Sequence, residues 1–146
     1  MKNNKTKPVH ILLVEDNEGD ILLTKEAFEE CQVKTNISVA KNGQEALDFL
    51  YKKGTFKTAE KPDLILLDIN IPIYNGHEVL EKIKNDVVLK KIPVIMLTTS
   101  SSKKDINKSY ENYCNSYVEK PLNISEFLNA ILKIEQFWLQ LTTLAD

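Results

Sequence analysis

Five polar residues stand where chemistry could be done, each at the end of a short strand-like run. Glu15 and Asp16 follow VHILLV, Asp68 follows LILL, Thr98 ends IPVIMLT, and Lys120 follows SYVE. Runs of that length suit strands buried on both faces, although so short a run could equally be buried helix. If they are neighbouring parallel strands, their C-terminal ends share one edge of a sheet, where open α/β sheets bind ligands. Glu15, Asp16 and Asp68 gathered there would repel one another unless a cation or a proton intervened. A hard divalent ion resolves this. Mg²⁺ suits a site that offers few carboxylates and leaves positions for water and phosphate oxygens. Asp68 could then attack an activated phosphoryl group and hold it as an acyl phosphate. Lys120 would offset charge on the transferring oxygens, and Thr98 would donate its hydroxyl to one of them.

Taken singly, each residue has a structural alternative. Asp16 or Asn17 could cap the following helix, Thr98 through Ser102 could cap another, Asp68 could cap a turn, and Lys120 before Pro121 could be a solvated loop lysine. The coincidence of all of them at successive strand ends carries the phosphoryl-transfer reading.

The elements that must position these residues alternate along the chain. Val9 to Val14 reads as a buried strand ending in a polar break. A helix through about Gln32 follows, with Ile21, Thr24, Phe28 and Cys31 on one face. Asn36 to Ala40 alternates like a strand nearer an edge. Asn42-Gly43 is a turn, and Ala46, Leu47 and Leu50 mark a helix ending near Gly54. The lysine-rich stretch from Gly54 to Pro62 reads as a solvated insertion. Leu64 to Leu67 is the central strand. Val79, Leu80 and Ile83 place a helix from about Gly76 to Asn85, and Ile92 to Leu97 is the fourth strand. A helix from roughly Lys103 to Tyr113 has Ile106, Tyr110 and Tyr113 as its sparse apolar side. Ser116 to Glu119 is a fifth strand. The last helix starts near Asn123 or Ser125, with Phe127, Ile131, Ile134, Trp138 and Leu141 on one stripe. Five such alternations predict a parallel sheet with helices on both faces.

Composition bounds the rest. A chain of 146 residues is one domain by length, with an ordered core expected over about 8–141, a loose tail over Met1 to Lys7, and no room for an output domain. The net charge of −2 offers no basic field to recruit nucleic acid. No run approaches the length of a membrane helix, and the N-terminal apolar stretch is too short for a signal segment, so a cytoplasmic protein is expected. Cys31 and Cys114, far apart and without a CxxC, read as reduced thiols.

The ordered motifs ILLVEDN, DLILLDINIPIYNG, PVIMLTTS and YVEKP resemble the receiver domain of two-component response regulators over essentially the whole chain. The resemblance implies a flavodoxin-like (CheY-like), doubly wound, five-stranded parallel sheet of order 2-1-3-4-5. It implies that Asp68 accepts a phosphoryl group from a sensor histidine kinase or a histidine phosphotransfer protein. Asp16 and Asp68 match direct metal ligands, Glu15 matches one acting mostly through water, and Asn70 matches the residue offering its backbone carbonyl to Mg²⁺. Lys120 matches the phosphoryl-contacting lysine, before a Lys120-Pro121 bond that is often cis in relatives. Thr98 and Tyr117 match a switch pair, and Asn70 and Ser100 match positions that tune dephosphorylation. Such a protein catalyses its own phosphotransfer and dephosphorylation and is not otherwise an enzyme.

Departures accompany the match. Relatives have Gly-Ala where this chain has Tyr113-Cys114, so the turn leaving the fourth helix is expected to differ. The long loop and the FWL tail look similar to stand-alone receivers paired with bacterial phytochrome kinases, and Phe137, Trp138 and Leu141 suggest a homodimer through the last helix. The rivals are a haloacid-dehalogenase-type phosphatase, an interaction module that never uses phosphate, and a flavin carrier. The first wants an acid two residues after Asp68, where Asn70 stands. The intact acidic set argues against the second, and the third lacks a glycine-rich loop after the first strand. His10 and His77 read as structural rather than as phospho-donors.

Overall fold

The computed structural model describes residues 7–145. Of the tail read over Met1 to Lys7, all but the exposed Lys7 lies outside the described residues. The elements run β1 (Val9–Val14), α1 (Glu18–Glu29), β2 (Thr35–Ala40), α2 (Gly43–Leu50), β3 (Leu64–Leu67), α3 (Gly76–Lys84), β4 (Val94–Thr98), α4 (Lys103–Glu111), β5 (Ser116–Glu119) and α5 (Ile124–Ile134). The sheet order is β2-β1-β3-β4-β5 with every pair parallel, as the alternation of strands and helices requires.

The central strands carry unbroken apolar runs, ILLV in β1, LILL in β3 and VIML in β4, because the two faces of the sheet are covered. In β3, Leu64 and Leu66 enter one core while Ile65 and Leu67 enter the other. β1 and β4 divide in the same way, residue by residue. One core is closed by Ala46, Leu47, Val79, Leu80 and Ile83 of α2 and α3, and the other by Ile21, Phe28, Phe127, Ile131 and Ile134 of α1 and α5. Burying each large aliphatic side chain contributes about 1.5–3 kcal/mol, which is why the pattern survives as uninterrupted four-residue runs.

Each helix starts on a side-chain cap: Asn17, Asn42, Asn75, Ser102 and Asn123 accept a backbone N–H from the residue three further on. Such a cap is worth about 1 kcal/mol. The first of these settles a sequence-level alternative, since Asn17 takes the cap and Asp16 is not needed for it.

The lysine-rich stretch is more than solvated insertion: a 3-10 turn at Gly54–Phe56 brings Phe56 and Ala59 against the core, with the Phe56 ring 5.4 Å from that of Phe49. The apolar side read for α4 is also corrected. Tyr110 and Tyr113 are exposed, and the fully buried residue of the helix is Ser109, whose hydroxyl donates to the Asp105 carbonyl.

The turn after α4 keeps the backbone that glycine would give. Tyr113 N–H bonds to the Tyr110 carbonyl and Cys114 N–H to the Ser109 carbonyl, a Schellman pair, and Tyr113 takes φ 66°. A left-handed non-glycine residue costs about 1–2 kcal/mol. Tyr113→Gly is therefore expected to raise stability by about 0.5–1 kcal/mol in urea unfolding, because the exposed ring gives up little packing. An unchanged midpoint would mean that the ring contributes as much as the strain costs.

α5 does not run on as a regular helix. A π-helical segment, Glu135–Leu141, follows it and closes with Thr142 N–H on the Phe137 carbonyl. Its anchor is Glu135, fully buried, which accepts the Val33 N–H at 3.1 Å and the Gln140 side-chain amide. This rotation separates the three residues read as a dimer face. Trp138 packs on the α1–α5 core, whereas Phe137 and Leu141 turn to solvent. Among the described residues no helix is long and apolar enough to cross a membrane.

Candidate functional site

The sequence-predicted residues converge at the C-terminal edge of the sheet. Glu15 directly follows β1, Asp68 follows β3 and Lys120 follows β5, while Thr98 is the last residue of β4. Lys120 is buried, and its ammonium lies 2.5 Å from Glu15 Oε1, 2.9 Å from Asp20 Oδ2 and 3.3 Å from Asp68 Oδ2. Asp68 Oδ1 accepts the Ile69 N–H at 2.7 Å, and Glu15 Oε2 accepts the Asn17 N–H at 3.2 Å. The peptide before Pro121 is trans, since no cis bond occurs among the described residues; the cis form common in relatives is not adopted.

Burial and pairing compete in the electrostatics. Burial pushes the Glu15 carboxyl up to about 7, against the opposing pull of Lys120. Burial also works to lower Lys120, but its hydrogen bonds to Asp20 and Glu15 and the charge of Asp68 outweigh it and hold the amine above its ordinary range. Lys120 therefore keeps its charge.

The acidic set fits a hard cation. Glu15, Asp16 and Asp68 each place an oxygen within 4.8 Å of the others. Glu15 and Asp68 are buried and Asp16 is exposed, so an all-oxygen set opens to water on one side. Asn70, two residues beyond Asp68 in sequence, is exposed.

A second cluster lies between β4, α4 and β5. Thr98 is fully buried and its Oγ1 accepts the Ser100 N–H at 3.3 Å. Tyr117 donates its hydroxyl to the Ser100 carbonyl at 2.8 Å, and burial raises its phenol above the usual range. Ser100 Oγ donates to Asp105 at 2.6 Å, and the other oxygen of Asp105 meets His77 Nε2 at 2.9 Å. Ser100 and His77 together hold the Asp105 carboxyl below its ordinary value. His77 is thus structural, bridging α3 and α4, and His10 is likewise engaged, by Ser38 at 2.9 Å.

Comparison with known proteins places this geometry. The description "Response regulator receiver domain" matches residues 11–132. The chain belongs to the response regulator receiver family. Response regulator Rcp1 of Synechocystis sp. is 38% identical over 144 residues, covering 99% of this chain and 98% of that protein. The structure of the phosphorylated cyanobacterial phytochrome response regulator RcpA superposes with a TM-score of 0.93 at 42% identity, covering 95% of this chain and 99% of that one. A Mn²⁺-bound form of Rcp1 superposes with a TM-score of 0.92 at 38% identity, over 95% of this chain and 100% of that one. The receiver fold and the likeness to phytochrome-associated regulators, read from the ordered motifs and the tail, both stand.

Two residues that sequence reasoning did not single out belong to this receiver's polar network: Asp20, bonded to Lys120, and Asp105, bonded to Ser100 and His77. For Asp20 a signal existed. It sits three residues after the Asn17 cap, where an acid usually reaches back to the cap's N–H. Here Glu15 holds that N–H, and the Asp20 carboxylate goes to Lys120 instead.

Proposed function

We propose that this receiver accepts a phosphoryl group on Asp68 from the phosphohistidine of a sensor histidine kinase, one of phytochrome type, or of a histidine phosphotransfer protein. The observation that carries the reading is Lys120, a buried ammonium bonded to Asp68 and Glu15 across 52 and 105 residues of sequence at the edge where strands end. An Asp68 oxygen attacks phosphorus, the P–O bond forms as the P–N bond breaks, and the electron pair leaves with the imidazole. Lys120 follows the charge onto the phosphoryl oxygens. Glu15, Asp16, Asp68 and the Asn70 carbonyl would hold Mg²⁺, which when bound offsets the negative charge of acid and phosphate. The Mn²⁺-bound Rcp1 and the phosphorylated RcpA support this assignment. The chain modifies itself and turns over no outside substrate.

Signalling passes through Thr98 and Tyr117. When Thr98 bonds a phosphoryl oxygen, its Oγ1 leaves the Ser100 N–H, the Ser100 carbonyl shifts, and the Tyr117 hydroxyl that depends on it is released or redirected. Asn70 and Ser100 flank the acceptor and tune its loss of phosphate.

The test is intact mass after incubation with Mg²⁺ and acetyl phosphate. A phosphoryl adduct is expected on the wild type, lost with chelator and absent in Asp68→Asn. A folded, metal-loaded wild type with no adduct would favour an interaction module that never uses phosphate.

A second copy of this chain is the partner proposed for the C-terminal face. Leu122 just before α5, and Ile124, Phe137 and Leu141 along α5 and the π-helical segment, leave large apolar side chains exposed. Phe137→Ser with Leu141→Ser is expected to halve the mass seen by light scattering; an unchanged mass would remove this face from the assembly.

A further inference from the structure

The Lys120 ammonium has three protons, and three carboxylates receive it: Glu15, Asp20 and Asp68. Two of these acids, Glu15 and Asp68, also belong to the oxygen set that converges within 4.8 Å; Asp20 does not. A divalent cation at Glu15, Asp16 and Asp68 therefore competes with Lys120 for two of its partners and leaves it the third. Asp20 is built for this separation. Its backbone N–H is satisfied by Asn17, the Asn17 N–H is satisfied by Glu15, and its carboxylate is spared from capping α1. Its side chain is one-third exposed, at the outer side of a lysine that is itself 5% exposed.

We propose that Asp20 is a positioning residue that draws the Lys120 ammonium off the cation ligands, easing the exchange of lysine for metal at Glu15 and Asp68 while keeping the ammonium beside the phosphoacceptor. This rests on the receiver reading of Glu15, Asp16 and Asp68 as the Mg²⁺ ligands. Without the Asp20 charge, the ammonium protons fall on Glu15 and Asp68, and the metal must break a stronger pairing to bind.

The test is calorimetric Mg²⁺ titration of the full chain as wild type, Asp20→Asn and Asp20→Glu, each also in a Lys120→Met background, with melting temperatures recorded to confirm folding. Asp20→Asn is expected to weaken Mg²⁺ binding about tenfold, and Asp20→Glu to restore most of it. In the Lys120→Met background the Asn substitution should change affinity less than about twofold, because the lysine through which it acts is gone. Unaltered affinity in Asp20→Asn would overturn the proposal. So would an equal loss with and without Lys120, which would make Asp20 a remote charge only.

Should Lys120→Met prove too unstable to titrate, the ratio of wild-type to Asp20→Asn affinity is read at about 1 M KCl, where exposed charges more than about 3 Å apart are largely screened while a buried contact is screened much less. A ratio that persists supports the contact, and one that collapses overturns it. A wild type that takes up no Mg²⁺ would fail the metal reading and this proposal together. A wild type that binds normally beside an unaffected Asp20→Asn would remove Asp20 alone.

Discussion

Lys120→Met is expected to cost about 3–5 kcal/mol of stability in metal-free buffer at pH 8, measured by urea unfolding. The side chains of Lys120 and Glu15 are only 5% and 4% exposed, so removing the ammonium leaves Glu15 and the nearly buried Asp68 without their charge partner. The loss has a definite pH dependence. The Glu15 carboxyl in the fold stands at about 7, above its value of 4.5 when free, so folding favours its protonated form. Its contribution to stability is fully present below about 4.5 and is lost as pH rises through about 7. Removing Lys120 takes away the charge that opposes burial and steepens that loss. The deficit of the variant should shrink toward zero at low pH and be full at pH 8. Mg²⁺ should recover more stability in the variant than in the wild type, since it binds the folded acids without displacing a lysine. Phosphoryl uptake from acetyl phosphate should fall by about 100-fold or more under the proposed role of Lys120 in stabilising charge that develops in transfer. A variant as stable as wild type at pH 8 without metal would show that the acids do not depend on the lysine.

Gly76→Ala should destabilise by about 2–3 kcal/mol and impair the acceptor at once. A Cβ there would lie 2.3 Å from the Asp68 carbonyl oxygen and 2.7 Å from the Ile69 Cα, both backbone atoms that cannot rotate away. Gly76 is held in place by its own N–H on the Ile69 carbonyl at 2.8 Å, so α3 and the residues after β3 must part together. A displacement of about 1 Å at a reacting group costs about 100-fold in rate, so the yield of phosphoryl adduct should fall further than stability alone explains. Gly54→Ala is the contrast: nothing lies within 4 Å of the added atom, and only the left-handed φ of 59° is strained. It should cost about 1 kcal/mol and leave phosphorylation unchanged. Equal effects from the two substitutions would refute the close approach at Gly76.

The sequence by itself determined the architecture and most of the candidate site. Runs such as LILL and the ILLV of β1 are readable because burial on both faces of a strand leaves no polar position, and that constraint is written in consecutive residues. Glu15, Asp16, Asp68, Thr98 and Lys120 were legible for a related reason: they stand at or just after strand ends, and parallel topology brings such ends to one edge.

Only the tertiary structure decided which partners they take. The Asp20 carboxylate chooses between capping its own helix and a lysine 100 residues away, and the Glu15 oxygen already on the Asn17 N–H settles it. Tyr113 holds a glycine's conformation because Ser109 and Tyr110 bind the turn, not because its side chain favours it. His77 and Asp105 meet across 28 residues with no periodic signal to announce them. Trp138 lies on the core, with Phe137 and Leu141 outside, because buried Glu135 ties the chain end to Val33 and the helix widens after it. Local pattern reports burial, which each residue type records for itself. Choice among polar partners is a competition between groups distant in sequence, and it has an outcome only once the fold has brought them together.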